Sequence, residues 1–341
     1  MLNMINRSKS QTLITGVYRT GSEYLTQLIN CNTQISATMY TVNILRFVVG
    51  KYDDIAEEVN YKRALDDIND RLYERYNIEL NKEKVRAELA ACERVTYGIL
   101  YDVIMCELYL KKPVEHWAEK NQLLWREIPE FLKMMPNGKV IHVIRDPRAV
   151  LLSFKKYTFA EPPAYLGAIF NCFDSMRLAS EYKKIYSTDK YYLIRYEDLV
   201  SSTEAEIRKI WEFLGLNVDN SISDRSRWVD AYGNKWHANS SFHDNDNKKN
   251  YDTKNAVSRW QEHLLKHEIE LTEYICEKYM NEFGYEMIST LVTWENSIEL
   301  INDDQELMRY FQEWKQRGVG IESFPLDPLE KSNWEENRRV M

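Results

Sequence analysis

Short apolar runs alternate with longer amphipathic stretches along most of this chain. The runs near residues 11–17, 93–97, 139–144 and 191–195 are rich in apolar residues, which is typical of buried strands. The stretches between them carry apolar residues at helical spacing. Strands separated by helices predict a parallel sheet that binds ligands at its C-terminal edge. The expected fold is α/β, a three-layer P-loop-like domain with a central parallel sheet flanked by helices.

The first apolar run ends in a turn suited to phosphate. Residues 13–17 are followed by Arg19-Thr20-Gly21-Ser22, and then by an amphipathic helix. The N-terminus of a helix presents unpaired N–H groups and a partial positive charge, and Gly21 lets the backbone approach a ligand. The hydroxyls of Thr20 and Ser22 can donate hydrogen bonds, and Arg19 adds a fixed charge. A plain strand-to-helix turn is the alternative reading.

The run at 139–144 ends in a second candidate for anion binding. Arg145 closes this strand, Asp146 can cap the next helix, and Pro147 suits its first position. Ser153 follows on that helix, eight positions after Arg145. Together with the first turn, these residues can hold a nucleotide at two separate phosphates. The alternative is that Arg145 forms a salt bridge and that Ser153 is an ordinary helix serine.

The two segments together resemble the sulfotransferases that use 3′-phosphoadenosine 5′-phosphosulfate (PAPS). Residues 18–23 occupy the position of that family's 5′-phosphosulfate loop, and Arg145 with Ser153 matches its 3′-phosphate motif. The resemblance implies that PAPS is the co-substrate, that a sulfuryl group moves to an acceptor hydroxyl, and that no metal is needed.

Later segments extend the resemblance to about residues 10–286. The segment 192–199 resembles the family's Tyr-Glu-Asp-Leu segment, which implies that Tyr196 lies near the adenine. Residues 236–242 and 258–260 look like the late loop that folds over the cofactor. The resemblance therefore implies that Ser241 and Arg259 also bind the cofactor.

A further segment bears on catalysis. Residues 117–122 resemble a Trp-Gly-Glu-Lys-Thr-Pro motif of many bacterial relatives. Sulfuryl transfer depends on positioning, charge stabilisation and removal of the acceptor proton. Lys120 and Arg19 are expected to stabilise charge, with Glu119 as the first candidate base and His116 as the second. A Glu-Lys pair on a surface turn is also commonplace, so a structural role stays open.

The chain departs from the family pattern at three places. Glu23 stands where the phosphate loop usually has Thr or Ser, and residues 35–45 lack the glutamate that several relatives carry there. Gln122 replaces a proline, which we expect to change only the stiffness of its loop.

The motif order suggests one main domain. Residues 1–286 are expected to form the sulfotransferase domain, with a helical insertion on the acceptor side at about 46–116. Residues 287–341 would be a C-terminal extension of unknown role, with an extended connection at 325–328.

Composition narrows the partners and the compartment. A net charge of −8 argues against a nucleic-acid binder. The resemblance implies a small-molecule or glycan acceptor, and the oligomeric state stays open. The five scattered cysteines lack metal-ligand spacing and suit reduced cytosolic thiols. No signal peptide or membrane span is predicted, which favours a cytoplasmic protein.

Two other functions compete with this interpretation. A P-loop phosphotransferase would share the fold, but the loop lacks the Gly-Lys-[Ser/Thr] of ATP enzymes. A pseudoenzyme that binds nucleotide without turnover is suggested by Glu23 and by the uncertain base.

Overall fold

The computed structural model describes residues 8–39, 42–110, 114–157, 162–229, 235, 253–289 and 297–322. Its strands are Ser10–Gly16 (β1), Ile35–Met39 (β2), His116–Lys120 (β3), Lys139–Ile144 (β4) and Tyr191–Arg195 (β5). They form a parallel sheet in the order β2-β3-β1-β4-β5. Parallel strands need a crossover connection, and helices supply it here.

The helices of the described residues fall between and after these strands. They are Ser22–Ile29 (α1), Ile44–Phe47 (α2), Glu58–Tyr76 (α3), Lys82–Ala90 (α4), Tyr97–Tyr109 (α5), Ile128–Met134 (α6), Pro147–Tyr157 (α7), Gly167–Ile185 (α8), Tyr196–Ser201 (α9), Thr203–Leu214 (α10), Thr253–Ser258 (α11), Trp260–His263 (α12), Lys266–Glu282 (α13) and Gln305–Arg317 (α14).

Helices cover both faces of the sheet. Successive side chains of a strand point to opposite faces, and the apolar residues here divide accordingly. Leu13 and Val140 belong to one core with α7, α8 and α13, whereas Ile14 and Ile141 belong to a second core with α1 and α10. The predicted three-layer α/β fold with a central parallel sheet is confirmed.

The strand predictions were right at three places and wrong at one. β1, β4 and β5 form where the apolar runs predicted them. The run at 93–97 is not a strand, because the Thr96 side chain accepts a hydrogen bond from Ile99 N and caps α5. Sequence reasoning also missed β2 and β3. β3 contains charged residues that resemble a surface turn, yet all five of its residues are buried.

Helices α2 to α5 occupy much of residues 44–109, and β3 follows them at His116. The last described helix, α14, packs against α8 through aromatic pairs, among them Phe173 and Trp314 with ring centroids 6.2 Å apart. Beyond it, a side chain at Gly320 would meet the Phe170 carbonyl oxygen at 2.2 Å, so only glycine fits. The predicted extended connection at 325–328 lies outside the described residues.

Candidate active site

The turn after β1 is held in an unusual backbone conformation. Arg19 has φ of 70° and Gly21, which precedes α1, has φ of 87°. Left-handed φ is uncommon for a residue with a side chain, and such backbone strain clusters at functional sites. The turn directs the N-terminus of α1 to the C-terminal edge of the sheet. This is the geometry of an anion-binding helix N-terminus.

Gly21 is required at its position by two independent constraints. Its positive φ disfavours a side chain, and an added Cβ would lie 2.3 Å from Cδ2 of Tyr196. Tyr196 is fully buried and begins α9 directly after β5. The tyrosine therefore supports the phosphate loop, and its expected position beside an adenine stays a prediction.

Arg145 also contacts the Tyr196 ring. Its guanidinium carbon is 4.4 Å from the ring centroid, a cation–π contact. Its Nη1 donates to the Arg19 carbonyl oxygen at 2.7 Å, and its Nη2 donates to the carbonyl of Ala256 in α11. The Nε of Arg145 is buried and has no hydrogen-bond partner among the described residues. A buried donor of this kind is what an anionic ligand would satisfy.

The two phosphate segments predicted from the sequence meet in the structure. Arg19 Nε donates to Ser153 Oγ at 3.0 Å, which joins the loop after β1 to α7. The Arg145 bond to the Arg19 carbonyl is a second connection. Residues 134 positions apart in the chain therefore form one site at one edge of the sheet.

A buried ionic network fixes the start of α7 next to Arg145. The Asp146 carboxylate accepts from the backbone N of Arg148 at 2.9 Å, which confirms the predicted cap. It also binds the Arg148 guanidinium, which pairs in turn with Glu273 of α13. Buried charges are tolerated when paired and hydrogen-bonded in this way. The Asp146 N–H donates to Glu197 at 3.0 Å, which connects the network to α9.

Lys120 ends β3 at the same edge of the sheet. Its side chain is almost completely buried. Burial, together with the nearby charge of Arg19, lowers the pKa of Lys120 to about 8, while the charge of Glu23 acts in the opposite direction. Lys120 pairs with Ile14 of β1, the strand that leads to Arg19. Glu23 supplies negative charge beside them, and the N-cap at Gly21 has no side-chain hydrogen bond.

Glu119, the first candidate base, is buried and fully hydrogen-bonded. One carboxylate oxygen accepts from the backbone N–H groups of Val42 and Asn43, at 2.6 and 2.9 Å. The other accepts from the Tyr101 hydroxyl and from Asn121 Nδ2. Burial raises the pKa of Glu119, and these hydrogen bonds oppose that effect. This geometry favours a structural role, in which Glu119 holds the chain between β2 and α2.

His116, the second candidate base, is not brought to the site. It begins β3, whereas Lys120 ends it, so about 13 Å of strand separates the two residues. Its Nδ1 hydrogen-bonds Ser10 Oγ at 2.7 Å at the N-terminal edge of the sheet. Burial lowers the pKa of His116.

The hydroxyls of Thr20 and Ser22 also have hydrogen-bond partners. The Thr20 hydroxyl donates to the Val17 carbonyl at 2.8 Å. Ser22 Oγ accepts from Gln122 Nε2 at 3.0 Å, so Gln122 connects the Lys120 segment to the phosphate loop. Sequence reasoning missed this contact, because it treated Gln122 as a change in loop stiffness. The sequence signal for this contact is the amide side chain of Gln122, which stands where the family motif has a proline.

The late cofactor segment is only partly described. Ser241 lies outside the described residues. Arg259 is partly buried, and its backbone N donates to the Asn255 carbonyl at 3.0 Å. It lies three positions after Ala256, which contacts Arg145.

Within the described ranges, no cluster of three or more His, Cys, Asp or Glu side chains is arranged to hold a metal ion. In the same ranges, no helix has the length and apolar character needed to cross a membrane.

Comparison with known proteins agrees with this geometry. A curated relative, carbohydrate sulfotransferase 1 of Danio rerio, is 25% identical over 192 residues, which cover 49% of this chain and 43% of the relative. The omega-hydroxy-beta-dihydromenaquinone-9 sulfotransferase of Mycobacterium bovis is 27% identical over 108 residues, which cover 28% of each chain. The matches thus span less than half of the length of these relatives.

A solved structure is similar in fold. It is the sulfotransferase domain of the Synechococcus PCC 7002 olefin synthase, with a TM-score of 0.55 and 16% identity. The similarity covers 83% of this chain and 97% of that domain. The sequence profile of the sulfotransferase family matches residues 12–220, more than half of the chain and every element of the site up to Tyr196. The protein therefore belongs to the sulfotransferase family.

Proposed function

We propose that the protein transfers a sulfuryl group from PAPS to the hydroxyl of a small-molecule or glycan acceptor. The observation that carries this proposal is the junction of the two phosphate segments through Arg19, Ser153 and Arg145. A donor with a 5′-phosphosulfate and a separate 3′-phosphate needs two anion sites at one sheet edge. Family membership supports the same reaction.

The residues present fit such a donor. The buried Nε of Arg145 offers a donor for the 3′-phosphate. Ser153 is joined to Arg145 through Arg19, which both residues contact. The N-terminus of α1, which begins at Ser22 directly after Gly21, offers backbone N–H groups for the 5′ end. PAPS would supply a sulfuryl group on a phosphate leaving group.

The chain's own residues would act mainly through charge. As the acceptor oxygen bonds to sulfur and the sulfur–oxygen bond to phosphate breaks, negative charge grows on the leaving phosphate. Lys120 and Arg19 are cations near that position, and preorganised charges stabilise a transition state in a water-poor site. The acceptor proton leaves in the same step and needs a base.

The geometry argues against both candidate bases, Glu119 and His116. Glu119 would have to exchange two backbone N–H donors and two side-chain donors before it could accept a proton. His116 would have to act from the opposite edge of the sheet. These two observations favour a second candidate function, a protein that binds the nucleotide and does not transfer the sulfuryl group.

The comparisons leave two acceptor chemistries to test, since one relative is named for carbohydrates and another for a hydroxylated menaquinone. The proposal includes a cytoplasmic location, because all five cysteines are free thiols, as in a reducing compartment.

Calorimetric titration tests the donor assignment. Adenosine 3′,5′-bisphosphate (PAP) should bind at least tenfold more tightly than ADP or ATP, because only PAP carries the 3′-phosphate that Arg145 would bind. Equal affinities would contradict the proposal. Transfer of radiolabelled sulfate from PAPS to sugars, phenols or hydroxylated lipids would show that the protein is an enzyme. Tight PAP binding without transfer to any of them would favour a protein that binds the nucleotide without turnover.

A further inference from the structure

Helix α13 ends in a tight glycine turn, and Tyr285 follows this turn directly. Gly284 has a left-handed φ of 74°, and its N–H donates to the Asn281 carbonyl at 3.2 Å. The N–H of Tyr285 donates to the Met280 carbonyl at 2.8 Å. The two bonds form a Schellman motif, which satisfies the last carbonyls of the helix and favours glycine at the left-handed position. The sequence therefore ends α13 at a defined place and fixes where the tyrosine begins.

The side chain of Tyr285 contacts the segment that supports Arg145. It is 5% exposed, and its hydroxyl donates to Glu197 Oε2 at 3.0 Å. Its ring centroid lies 4.6 Å from the guanidinium carbon of Arg195, a cation–π contact. Burial chiefly, and then the charge of Glu197, raise the pKa of Tyr285, so the hydroxyl stays protonated and donates. One oxygen of the Glu197 carboxylate is thereby held in place.

The other oxygen of Glu197 holds the peptide group after Arg145. Oε1 accepts from the Asp146 N–H at 3.0 Å. The neighbouring residue, Tyr196, contacts the guanidinium of Arg145 with its ring. Consecutive residues therefore hold the side chain of Arg145 and the backbone that follows it. A shift of this peptide group would move the arginine side chain.

A second connection fixes the chain beyond this tyrosine. The N–H groups of Ile288 and Ser289 donate to the Glu273 carboxylate at 3.1 and 2.9 Å. Glu273 also pairs with Arg148, which binds the Asp146 carboxylate. The chain after α13 is thus attached at two places to the network at the start of α7.

We propose that Tyr285 is a positioning residue for the donor: through Glu197 it holds the peptide group after Arg145, so that the guanidinium is oriented before the donor binds. A site whose groups are held by a supporting layer of hydrogen bonds has less to reorder on binding. The family profile matches residues 12–220, so Tyr285 lies outside the segment that the profile covers. The inference rests on the proposed function, because it assumes that Arg145 binds the 3′-phosphate of PAPS.

Calorimetric titration of the full chain tests this role, with PAP and with adenosine 5′-phosphosulfate, which lacks the 3′-phosphate. Tyr285→Phe removes only the hydroxyl. It should weaken PAP binding about fivefold or more, because a hydrogen bond to a charged group is lost behind Arg145. Affinity for adenosine 5′-phosphosulfate should change by less than about twofold, since the lost support serves the 3′ position. A purely structural role would not change the ratio of the two affinities.

Tyr192 offers a matched control. It lies on β5, is partly buried, and its hydroxyl donates to Glu206 of α10 at 3.3 Å. Tyr192→Phe therefore removes the same kind of bond at another place, and PAP affinity should stay unchanged. Equal weakening of both ligands in Tyr285→Phe would overturn the inference. A loss of PAP affinity as large in Tyr192→Phe as in Tyr285→Phe would overturn it as well.

A double-variant cycle tests whether Tyr285 acts through Glu197. Glu197→Ala removes the acceptor of both the Tyr285 hydroxyl and the Asp146 N–H. Adding Tyr285→Phe to Glu197→Ala should then weaken PAP binding by no more than about twofold further, since residues in one hydrogen-bond network are not additive. Fully additive losses would overturn the inference, as would a Glu197→Ala protein with the PAP affinity of the unmodified chain.

The same titrations separate this inference from the proposed function. If the unmodified chain does not bind PAP, the donor site is contradicted and the role of Tyr285 with it. If the unmodified chain binds PAP and Tyr285→Phe binds it equally well, the role of Tyr285 alone is overturned.

Discussion

Arg19 Nε donates a hydrogen bond of 3.0 Å to Ser153 Oγ, so the strained turn after β1 is tied directly to α7. Arg145 Nη1 binds the carbonyl of the same Arg19 at 2.7 Å. Two residues of the second phosphate segment therefore both bind Arg19 of the first.

We expect Arg145→Ala to weaken PAP binding at least tenfold. A hydrogen bond from a charged donor to a phosphate typically contributes about 1.5–3 kcal/mol. Calorimetric titration of PAP measures the loss. The melting temperature is recorded beside it, because the arginine also contacts Tyr196 and Ala256.

Adenosine 5′-phosphosulfate, which lacks the 3′-phosphate, is the matched ligand for this variant. Its affinity should change by less than about twofold. Equal losses for the two ligands would mean that Arg145 supports the loop and does not bind the 3′-phosphate.

The lowered pKa of Lys120 predicts that activity falls at alkaline pH. This pKa is lowered to about 8, chiefly by burial, and the proposed role of Lys120 needs its cation. The charge is present below pH 8 and is lost as the pH rises through this value, so kcat/KM should fall above about pH 8. Lys120→Ala should lower kcat about a hundredfold or more with a smaller change in PAP affinity.

Two variants test the origin of this limit. Lys120→Arg should remove the alkaline fall, since arginine stays protonated. Glu23→Gln removes the charge that raises the pKa of Lys120, so the fall should begin at a lower pH. An unchanged profile in Glu23→Gln would show that Glu23 does not act on Lys120.

The sequence predicts those parts of the fold in which apolar residues are local and continuous. β1, β4 and β5 are apolar runs of this kind. β3 was missed because its sequence, His-Trp-Ala-Glu-Lys, carries charges that normally indicate exposure. Its charged side chains are buried through partners on other elements, such as Tyr101 of α5.

The same distinction explains the site. Arg145 and Ser153 could be predicted from the sequence because both belong to one strand–helix unit, β4 and α7. The role of Glu119 depends on Val42, Asn43 and Tyr101, which reach it only in the folded chain. The hydrogen bond from Arg46 to the Gln122 carbonyl is equally non-local, so no pattern in the sequence indicates it.

The lowered pKa of His142 predicts that the protein loses stability in acid. His142 lies inside the sheet between the Tyr191 and Ser175 hydroxyls, both at 2.8 Å, and burial lowers its pKa from 6.5 to about 3. The unfolded chain takes up a proton near pH 6.5, but the native chain does so only near pH 3. The free energy of unfolding should therefore decrease as the pH falls across this window.

His142→Gln removes this proton uptake and keeps polar atoms near both hydroxyls. Denaturant unfolding at several pH values should show a shallower slope for the variant, by up to about 1.4 kcal/mol per pH unit. Parallel slopes for the two proteins would mean that His142 is not the group that titrates.

The last prediction separates a structural Glu119 from a catalytic one. Glu119→Gln keeps the shape of the side chain but leaves at least one of its four donors without an acceptor. A buried donor without a partner costs about 1–3 kcal/mol, so the free energy of unfolding should fall by about that amount. Turnover of the folded variant should fall by much less than the hundred- to ten-thousandfold that loss of a general base typically costs. His116→Ala, at the far edge of the sheet, should keep its activity as well. Chemical denaturation and kcat measured on the same preparations decide the matter. A Glu119→Gln protein with unchanged stability and no turnover would restore Glu119 as the base.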